Sequence, residues 1–348
     1  MISRKPLISI ITLNYNGKMW LKGYFDSLKN QIYKNFEIVF VDNGSKDGSV
    51  EFVKKYYPKA VLIENKVNLA IAEGNNIGVK KAKGDYILLL NNDIKVGKTY
   101  LKELLEGFEE LPQASILQSK IVLMDKPEIL DSCGSFWTDT GFIYHYGYQK
   151  AANRKQYNIA YPVFSGKSAS MIVKREVIDR IGMYDNAYWG YYEETDHCHR
   201  AWIAGFETWY WPKAEVRHKF GGTTLTFDSD FLQFHNFKNK ISSFLVNFSA
   251  GYLVYLVLVF LTLNVLTSIG WLFQGKVKNT ASLYKAIWWN ISNFGHILNK
   301  RKQVQSTRIL SDWEIFRKCR WNPRISYYYH LFTTELGNYK DDPMKLGI

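Results

Sequence analysis

LISIITLNYNG at positions 7–17, FEIVFVDNGS at 36–45 and YILLLNND at 86–93 share one plan: a short apolar, β-branched run that ends in Asn, Asp or Gly. Such near-continuous apolar runs read as strands of a parallel sheet covered on both faces. Between them the apolar period changes. Trp20, Leu21, Tyr24 and Leu28 recur at helical spacing, and helical patterns over 49–57 and 71–82 flank a further strand at 60–63. Strands alternating with amphipathic helices predict an α/β fold, a mostly parallel sheet with helices on both faces. Ligands of such sheets sit beyond the carboxyl ends of the strands. Four successive strand ends release Asn14-Tyr15-Asn16-Gly17, Asp42-Asn43-Gly44-Ser45, Asn65 with Asn68, and Asn91-Asn92-Asp93. One such cluster is ordinary turn chemistry. Four on one rim point to a binding crevice.

The 348 residues, 47% hydrophobic and 22% charged, are enough for one large or two modest domains with a substantial core. That balance excludes a disordered or collagen-like chain. Three cysteines (Cys133, Cys198, Cys319) without a C-x-x-C exclude a disulfide scaffold and suit a reducing compartment. The start, Met1-Ile2-Ser3-Arg4-Lys5-Pro6, runs straight into a strand and leaves no room for a signal-peptide core, so cytoplasmic retention is expected. Residues 124–160, rich in Gly, Tyr and Asp with weak periodicity, read as an irregular insertion or flexible loop. A strand pattern returns over 161–173, then at 207–211 and 215–218.

Several residues are placed to do chemistry. Asp93 ends a strand beside two Asn, as suits a carboxylate binding a hard divalent cation while phosphate oxygens complete the shell. In Glu193-Glu194-Thr195-Asp196, adjacent carboxylates raise each other's pKa, poising one as a general base, although acidic residues also favour a helix first turn. Tyr188-Trp189-Gly190-Tyr191-Tyr192 just before them suits a substrate-facing wall. Zinc through Glu193 and His197, or Asp196 and His199, is a further reading that lacks a second ligand pair. Gly166-Lys167-Ser168 imitates the end of a phosphate loop, but Tyr161 stands where its first Gly is required. No G-x-G-x-x-G follows the first strand, and no G-x-S-x-G occurs. ATPase, dehydrogenase and hydrolase readings lose their usual support.

Seven motifs in order resemble the inverting family 2 glycosyltransferases of GT-A fold over about residues 7–222, most nearly the rhamnosyltransferase-like branch of surface polysaccharide synthesis. They are ITLNYNG (11–17), VDNGSKDGS (41–49), NLAIAEGNNIG (68–78), LLNND (89–93), FSGKSASMI (164–172), YWGYYEETDHCHRA (188–201) and PKAEVRH (212–218). The resemblance implies a GT-A catalytic domain at 1–230, with a nucleotide-sugar half to about 95 and an acceptor half beyond. Asp42 would hold the base and ribose of a UDP- or dTDP-sugar, with Thr12 and Asn14 beside it. Asn68 and a Gly74-Asn75-Asn76 turn would line the nucleotide and diphosphate side, with Asn92 and Gly166. Asp93 would coordinate Mn²⁺ or Mg²⁺, and His218 would complete that shell. The D-x-D-type motif is degenerate here, reading Asn91-Asn92-Asp93. The catalytic base falls on Glu194, with Glu193 and Asp196 as alternatives, because the usual Glu-Asp pair is Glu-Glu. Trp189, Tyr191 and Tyr192 would face a saccharide acceptor. A single displacement needs no enzyme nucleophile, in keeping with the absent Ser or Cys motif. Two other classes stay open: transfer of one sugar to polyprenyl phosphate, and a non-catalytic membrane scaffold that kept the fold.

The net charge of +13 is concentrated at the end of the chain, where residues 231–348 hold 15 Lys/Arg against 5 Asp/Glu. No charged residue occurs over 241–275. Basic residues flanking an apolar run point to an anionic membrane surface rather than to nucleic acid. Tyr252–Phe273 is long enough to cross a bilayer, for which ~20 residues suffice. Thr262, Asn264, Thr267, Ser268 and Gly270 interrupt it, however, and crossing would export the basic residues beyond it, against the positive-inside bias. A helical region lying on the cytoplasmic face, peripheral or monotopic, is therefore expected over 231–348. It would place the crevice near a lipid-linked acceptor; a buried core helix or homo-oligomer contact is the other reading.

Overall fold

The computed structural model describes residues 5–219, 228–333 and 336–341. Met1–Arg4 and the Gly221-Gly222 end of the motif-bearing region lie outside them.

The first ninety residues form β1 (Ile8–Asn14), α1 (Lys18–Lys29), β2 (Phe36–Asp42), α2 (Ser49–Tyr56), β3 (Val61–Glu64), α3 (Ala70–Lys81) and β4 (Tyr86–Leu90). Their order in the sheet is β3-β2-β1-β4, all parallel. The strand order reverses between β1 and β4, so the crevice of such a sheet opens there. β1 is buried on both faces, which is why its sequence reads as a continuous apolar run. Tyr24, Phe25 and Leu28 of α1 pack against one face, and Ala72 and Val79 of α3 against the other.

After β4 the chain makes β5 (Ile94–Val96), α4 (Tyr100–Glu110) and β6 (Ala114–Leu123), then β7 (Leu130–Ser132), β8 (Ser135–Trp137), β9 (Ile143–His145), β10 (Tyr161–Pro162), β11 (Ser170–Lys174), α5 (Arg175–Ile181), α6 (Glu193–Ile203) and β12 (Glu207–His218). β11 joins antiparallel between β4 and β6, and β12 pairs parallel with β6. β12 unites the two short strands read at 207–211 and 215–218; its pairing slips between Trp211 and Glu215. β5 returns to pair antiparallel with the end of β12, setting Ile94 opposite His218.

Residues 124–160 are not the flexible loop that their weak periodicity suggests. Phe136, Tyr144, Tyr146, Tyr157 and Tyr161 are buried together with Tyr210, Tyr327 and Tyr339. The Tyr144 and Tyr157 hydroxyls donate to the Asp341 carboxylate at 2.7 Å each. Rings packed edge to face need no repeat of 2 or 3.6, so periodicity could not reveal this ordered insertion.

Among the described residues six α-helices follow: α7 (Ser229–Asn247), α8 (Ala250–Phe273), α9 (Val277–Ser292), α10 (Phe294–Ser306), α11 (Asp312–Cys319) and α12 (Ile325–Phe332). They share one core with the sheet region, because Trp137, Phe164 and Trp202 pack with Phe244, Phe248, Phe260 and Phe316. Asn247 donates to Asp196 at 2.9 Å across this junction. The most apolar 18-residue window of α8 has a mean hydropathy of 2.2, and only 22% of it is buried. Its buried residues Leu256, Phe260, Asn264 and Ser268 form one stripe at i+4 spacing, leaving Val254, Leu258, Leu266 and Phe273 exposed. Of the polar interruptions, Asn264 and Ser268 therefore turn inward, whereas Thr262 stays on the exposed face. Asn264 donates to the Phe260 carbonyl and Thr267 to that of Leu263.

Candidate active site

Strand ends build the donor side by linking side chains across the sheet. The Asn92 amide donates to Asn14 Oδ1 at 2.6 Å, and Asn14 Nδ2 donates to Asp42 Oδ1 at 2.8 Å. Asp42 Oδ2 accepts from the Ser45 backbone at 2.8 Å. Asn43 bridges to the start of α3, donating to the Ala70 carbonyl at 3.0 Å and to Asn68 Oδ1 at 3.2 Å. Three predicted residues, Asn14, Asp42 and Asn92, thus form one bonded line across β1, β2 and the end of β4.

Other donor-side expectations are corrected. Thr12 is fully buried and its hydroxyl bonds to Tyr24 on α1, so it faces the interior rather than the crevice. Gly74-Asn75-Asn76 is no turn but the middle of α3. A Cβ on Gly74 would sit 2.5 Å from Leu13 Cδ1, and one on Gly78 would sit 2.6 Å from Ile11 Cγ2. These glycines let α3 lie close on β1. Asn75 bonds back to the Ile71 carbonyl at 2.8 Å, and Asn68 accepts from the Ala70 backbone at 2.9 Å, shaping the entry to α3. Gly166 is packed against Met171 and Gln118.

The β5–β12 pairing brings Asp93 and His218 together: His218 Nε2 lies 3.4 Å from Asp93 Oδ1. His218 Nδ1 lies 2.7 Å from Asp131 Oδ2, and Lys167 Nζ donates to the same carboxylate at 2.7 Å. Asp131 and Lys167 were not singled out for this role by sequence. The one available signal was a carboxylate inside the apolar stretch Ile129-Leu130-Asp131-Ser132-Cys133. Burial would raise the Asp131 carboxyl, but Lys167 and the His218 hydrogen bond outweigh it and hold it down at about 2. Burial disfavours the His218 cation, yet its hydrogen bond to Asp131 and the facing Asp93 carboxylate prevail and push its pKa up.

Asp93 Oδ1 is buried and makes no hydrogen bond. An orphaned carboxylate oxygen beside an imidazole whose far nitrogen is fixed by a second carboxylate fits a divalent cation whose remaining ligands are phosphate oxygens. Among the described residues no group of three His, Cys, Asp or Glu forms a metal site by itself. The zinc alternatives are not assembled: His197 contacts the Met183 carbonyl, whereas His199 packs on Phe164 and Phe248.

Glu193 and Glu194 open α6, and each has one buried carboxylate oxygen without a partner. Burial, followed by the charge of Glu194, pushes Glu193 well above the usual carboxylate range. Burial also raises Glu194, with the nearby Lys167 cation pulling the other way. Asp196 is different. It accepts from Arg200 Nε at 2.7 Å and from Asn247, and these partners overcome burial to hold its pKa low. An acid so paired has little proton affinity, which removes Asp196 from the candidate bases.

Tyr191 and Tyr192 carry φ of 70° each, and Asn16 and Ala70 also lie in the left-handed region. Non-glycine residues seldom hold that conformation, so strain gathers around this crevice. The Trp189 carbonyl accepts from the Ile71 backbone at 2.9 Å, tying the aromatic segment to the start of α3. Trp189 meets His235 of α7, while Tyr192 is buried against Phe244. The expected acceptor wall is therefore partly covered by α7.

A family model described as Glycosyl transferase family 2 matches residues 9–182. An "Uncharacterized glycosyltransferase" of Haemophilus influenzae is 40% identical over 91 residues, 25% of this chain and 36% of that protein. The "Uncharacterized glycosyltransferase EpsJ" of Bacillus subtilis is 31% identical over 107 residues, 30% of this chain and 31% of its own. The chain thus spans about a third of the length of these relatives. Among solved structures, GalNAc-T7 with UDP, GalNAc and Mn²⁺ aligns with a TM-score of 0.64 at 16% identity, covering 94% of this chain and 58% of that one. The mannosyltransferase PcManGT from Pyrobaculum calidifontis, in complex with GDP-Man and Mn²⁺, aligns at 0.53 and 12% identity, covering 88% and 86%. At such identities the likeness shows the fold, the GT-A-like arrangement expected from the sequence.

Proposed function

The chain belongs to glycosyl transferase family 2, and from that premise we propose that it transfers a sugar, with inversion, from a UDP- or dTDP-linked donor to a lipid-linked saccharide in surface glycan assembly. The observation that carries this reading is the bonded Asn92–Asn14–Asp42 line beside the Asp93–His218 pair, with Lys167 bonded to the Asp131 that holds His218 and acting on the buried Glu193-Glu194 pair. In this reading Asp42 and Asn14 hold the nucleoside end of the donor. Glu194 accepts the proton of the acceptor hydroxyl as its oxygen bonds to the anomeric carbon. On the opposite side the bond from that carbon to the leaving diphosphate breaks, and the electron pair leaves with the nucleoside diphosphate. Burial raises the proton affinity of Glu194, which suits it to accept that proton near neutral pH. Asp93 and His218 would hold Mn²⁺ or Mg²⁺, which when bound supplies positive charge to the departing diphosphate. Asp131 keeps His218 oriented, and Lys167 links that carboxylate to the neighbourhood of Glu194.

The same proposal places the protein on the cytoplasmic face of the cell membrane, where nucleotide-sugars are made. One face of α8 packs on α7 and α9 along the stripe from Leu256 to Ser268. Those neighbours carry Lys238, Lys278 and Lys285, which could not follow α8 into hydrocarbon without a large penalty. α8 therefore lies in the interface with its exposed apolar face toward acyl chains. The direct test is release of nucleoside diphosphate from a panel of UDP- and dTDP-sugars, with and without lipid-linked saccharide. Absence of donor binding across the panel would overturn the reading.

A further inference from the structure

The segment that leads into the acidic pair is gripped by three consecutive residues of α7. Lys238 donates to the Ala187 carbonyl at 2.6 Å. Asn239 is fully buried, and its amide donates to the Gly190 carbonyl at 2.9 Å and to that of Tyr191 at 2.7 Å. The Lys240 ammonium lies 5.7 Å from the centre of the Tyr192 ring.

The backbone they hold is unusual. Tyr191 and Tyr192 both have φ of 70°, and Tyr192 is the residue that caps α6. Two successive left-handed residues other than glycine persist only where their surroundings over-determine them. Buried carbonyls must also find donors. Four in a row do so here: Trp189 accepts from the Ile71 backbone, Gly190 and Tyr191 from Asn239, and Tyr192 from the Asp196 backbone. A side-chain amide carries two N–H groups, and both are used, whereas a hydroxyl would serve one carbonyl only. The turn decides where α6 begins, and Glu193 and Glu194 are the first two residues of that helix. Each glutamate keeps a buried carboxylate oxygen without a hydrogen bond, so the backbone has the larger share in fixing its place.

We propose that Asn239 is a positioning residue for the catalytic base: by fixing the Gly190 and Tyr191 carbonyls it sets the start of α6 and, with it, the two glutamates. The clamp itself is a structural relationship; its catalytic meaning rests on the transferase reading above. On this account the C-terminal helices complete the active site and do more than meet a membrane.

The test uses the full-length protein, with turnover read as nucleoside diphosphate release from whichever UDP- or dTDP-sugar the wild type uses. Asn239→Leu keeps the side-chain size and removes both donors. It should lower kcat by about 10–10²-fold, the order that a misplaced catalytic group costs, with nucleotide affinity unchanged. Asn239→Gln, which keeps the amide but sets it one methylene further out, should lie between, and it carries the same test if the leucine variant does not fold. In a Glu194→Gln background the change at Asn239 should cost almost nothing more, because residues that act as a unit are not additive. Gln305→Leu is the matched control. It removes two bonds of 2.9 Å to the Val246 and Asn247 carbonyls at the other end of α7, and should lower the melting temperature while kcat holds. Hydrogen exchange adds a readout without substrate: amides of residues 188–196 should exchange faster in Asn239→Leu, with β1 and β2 unaffected.

The proposal is overturned if Asn239→Leu keeps the wild-type kcat, if its loss multiplies with that of Glu194→Gln, or if Gln305→Leu loses as much. Unchanged exchange over 188–196 would overturn the clamp itself. If exchange rises as expected but the wild type transfers sugar from no donor, the clamp stands and the transferase reading falls.

Discussion

His218 and Asp131, 87 residues apart in the chain, are joined by a hydrogen bond of 2.7 Å that turns the other imidazole nitrogen toward Asp93. A carboxylate behind a ligand imidazole fixes its tautomer and raises its basicity, and removing such a partner commonly weakens metal affinity about 10–100-fold. Asp131→Asn should therefore raise the Mn²⁺ concentration needed for half-maximal activity by that order, with nucleotide affinity in the absence of metal unchanged. His218→Ala should behave similarly, since water can replace one ligand of a hard cation. Asp93→Ala should abolish transfer. Full activity of Asp93→Ala in the presence of chelator would refute the metal role.

Glu194→Gln should retain donor binding but lose about 10²–10⁴-fold in turnover, the usual contribution of a general base. The wild-type rate should fall as pH drops, because the base must be ionised and burial has raised its pKa. The acid limb of kcat should thus lie above the ordinary glutamate value of about 4.3. If Glu193→Gln is the inactive variant while Glu194→Gln turns over normally, the two carboxylates exchange roles.

Glu193 also makes a stability prediction. Its folded pKa is raised by burial and by Glu194, so its contribution is intact below the unfolded value and is lost as pH rises through the folded one. Glu193→Gln removes the charge and should raise the melting temperature at pH 8, with the gain shrinking toward pH 5. A gain that is constant with pH would mean that the carboxyl is not ionising in the fold.

Gly78→Leu should destabilise the protein by about 1–3 kcal/mol, because α3 lies too close to Ile11 for a side chain. Urea unfolding would measure it, and nucleotide binding should weaken as α3 is displaced from the Asn43–Asn68 bridge. A neutral result would mean that α3 can move off the sheet at little cost.

On α8, the pair Leu258→Ser and Leu266→Ser changes exposed positions only. Affinity for anionic liposomes should fall while the melting temperature holds, as read by vesicle co-sedimentation. Protease added from the non-cytoplasmic side should leave residues 276–333 intact; cleavage there would show that the helix crosses.

The order of strands and helices to Leu90, the Asn/Asp rim and the acidic pair were legible in the sequence because each depends on local periodicity or on adjacency along the chain. An apolar run at strand length is buried on both faces wherever it sits in a parallel sheet, and Glu193 and Glu194 are neighbours in any fold. Tertiary structure alone decided which polar groups keep free valences. Asp196 is taken by Arg200 and Asn247, and Thr12 by Tyr24, whereas Asp93 and the two glutamates keep unpartnered oxygens. Only the closed fold could bring Asp131 to His218, show that Gly74 serves helix packing, or turn Asn264 and Ser268 of α8 inward. Those outcomes depend on contacts between residues far apart in the chain, which no local pattern records: a hydrogen bond forms only where the fold places its two partners.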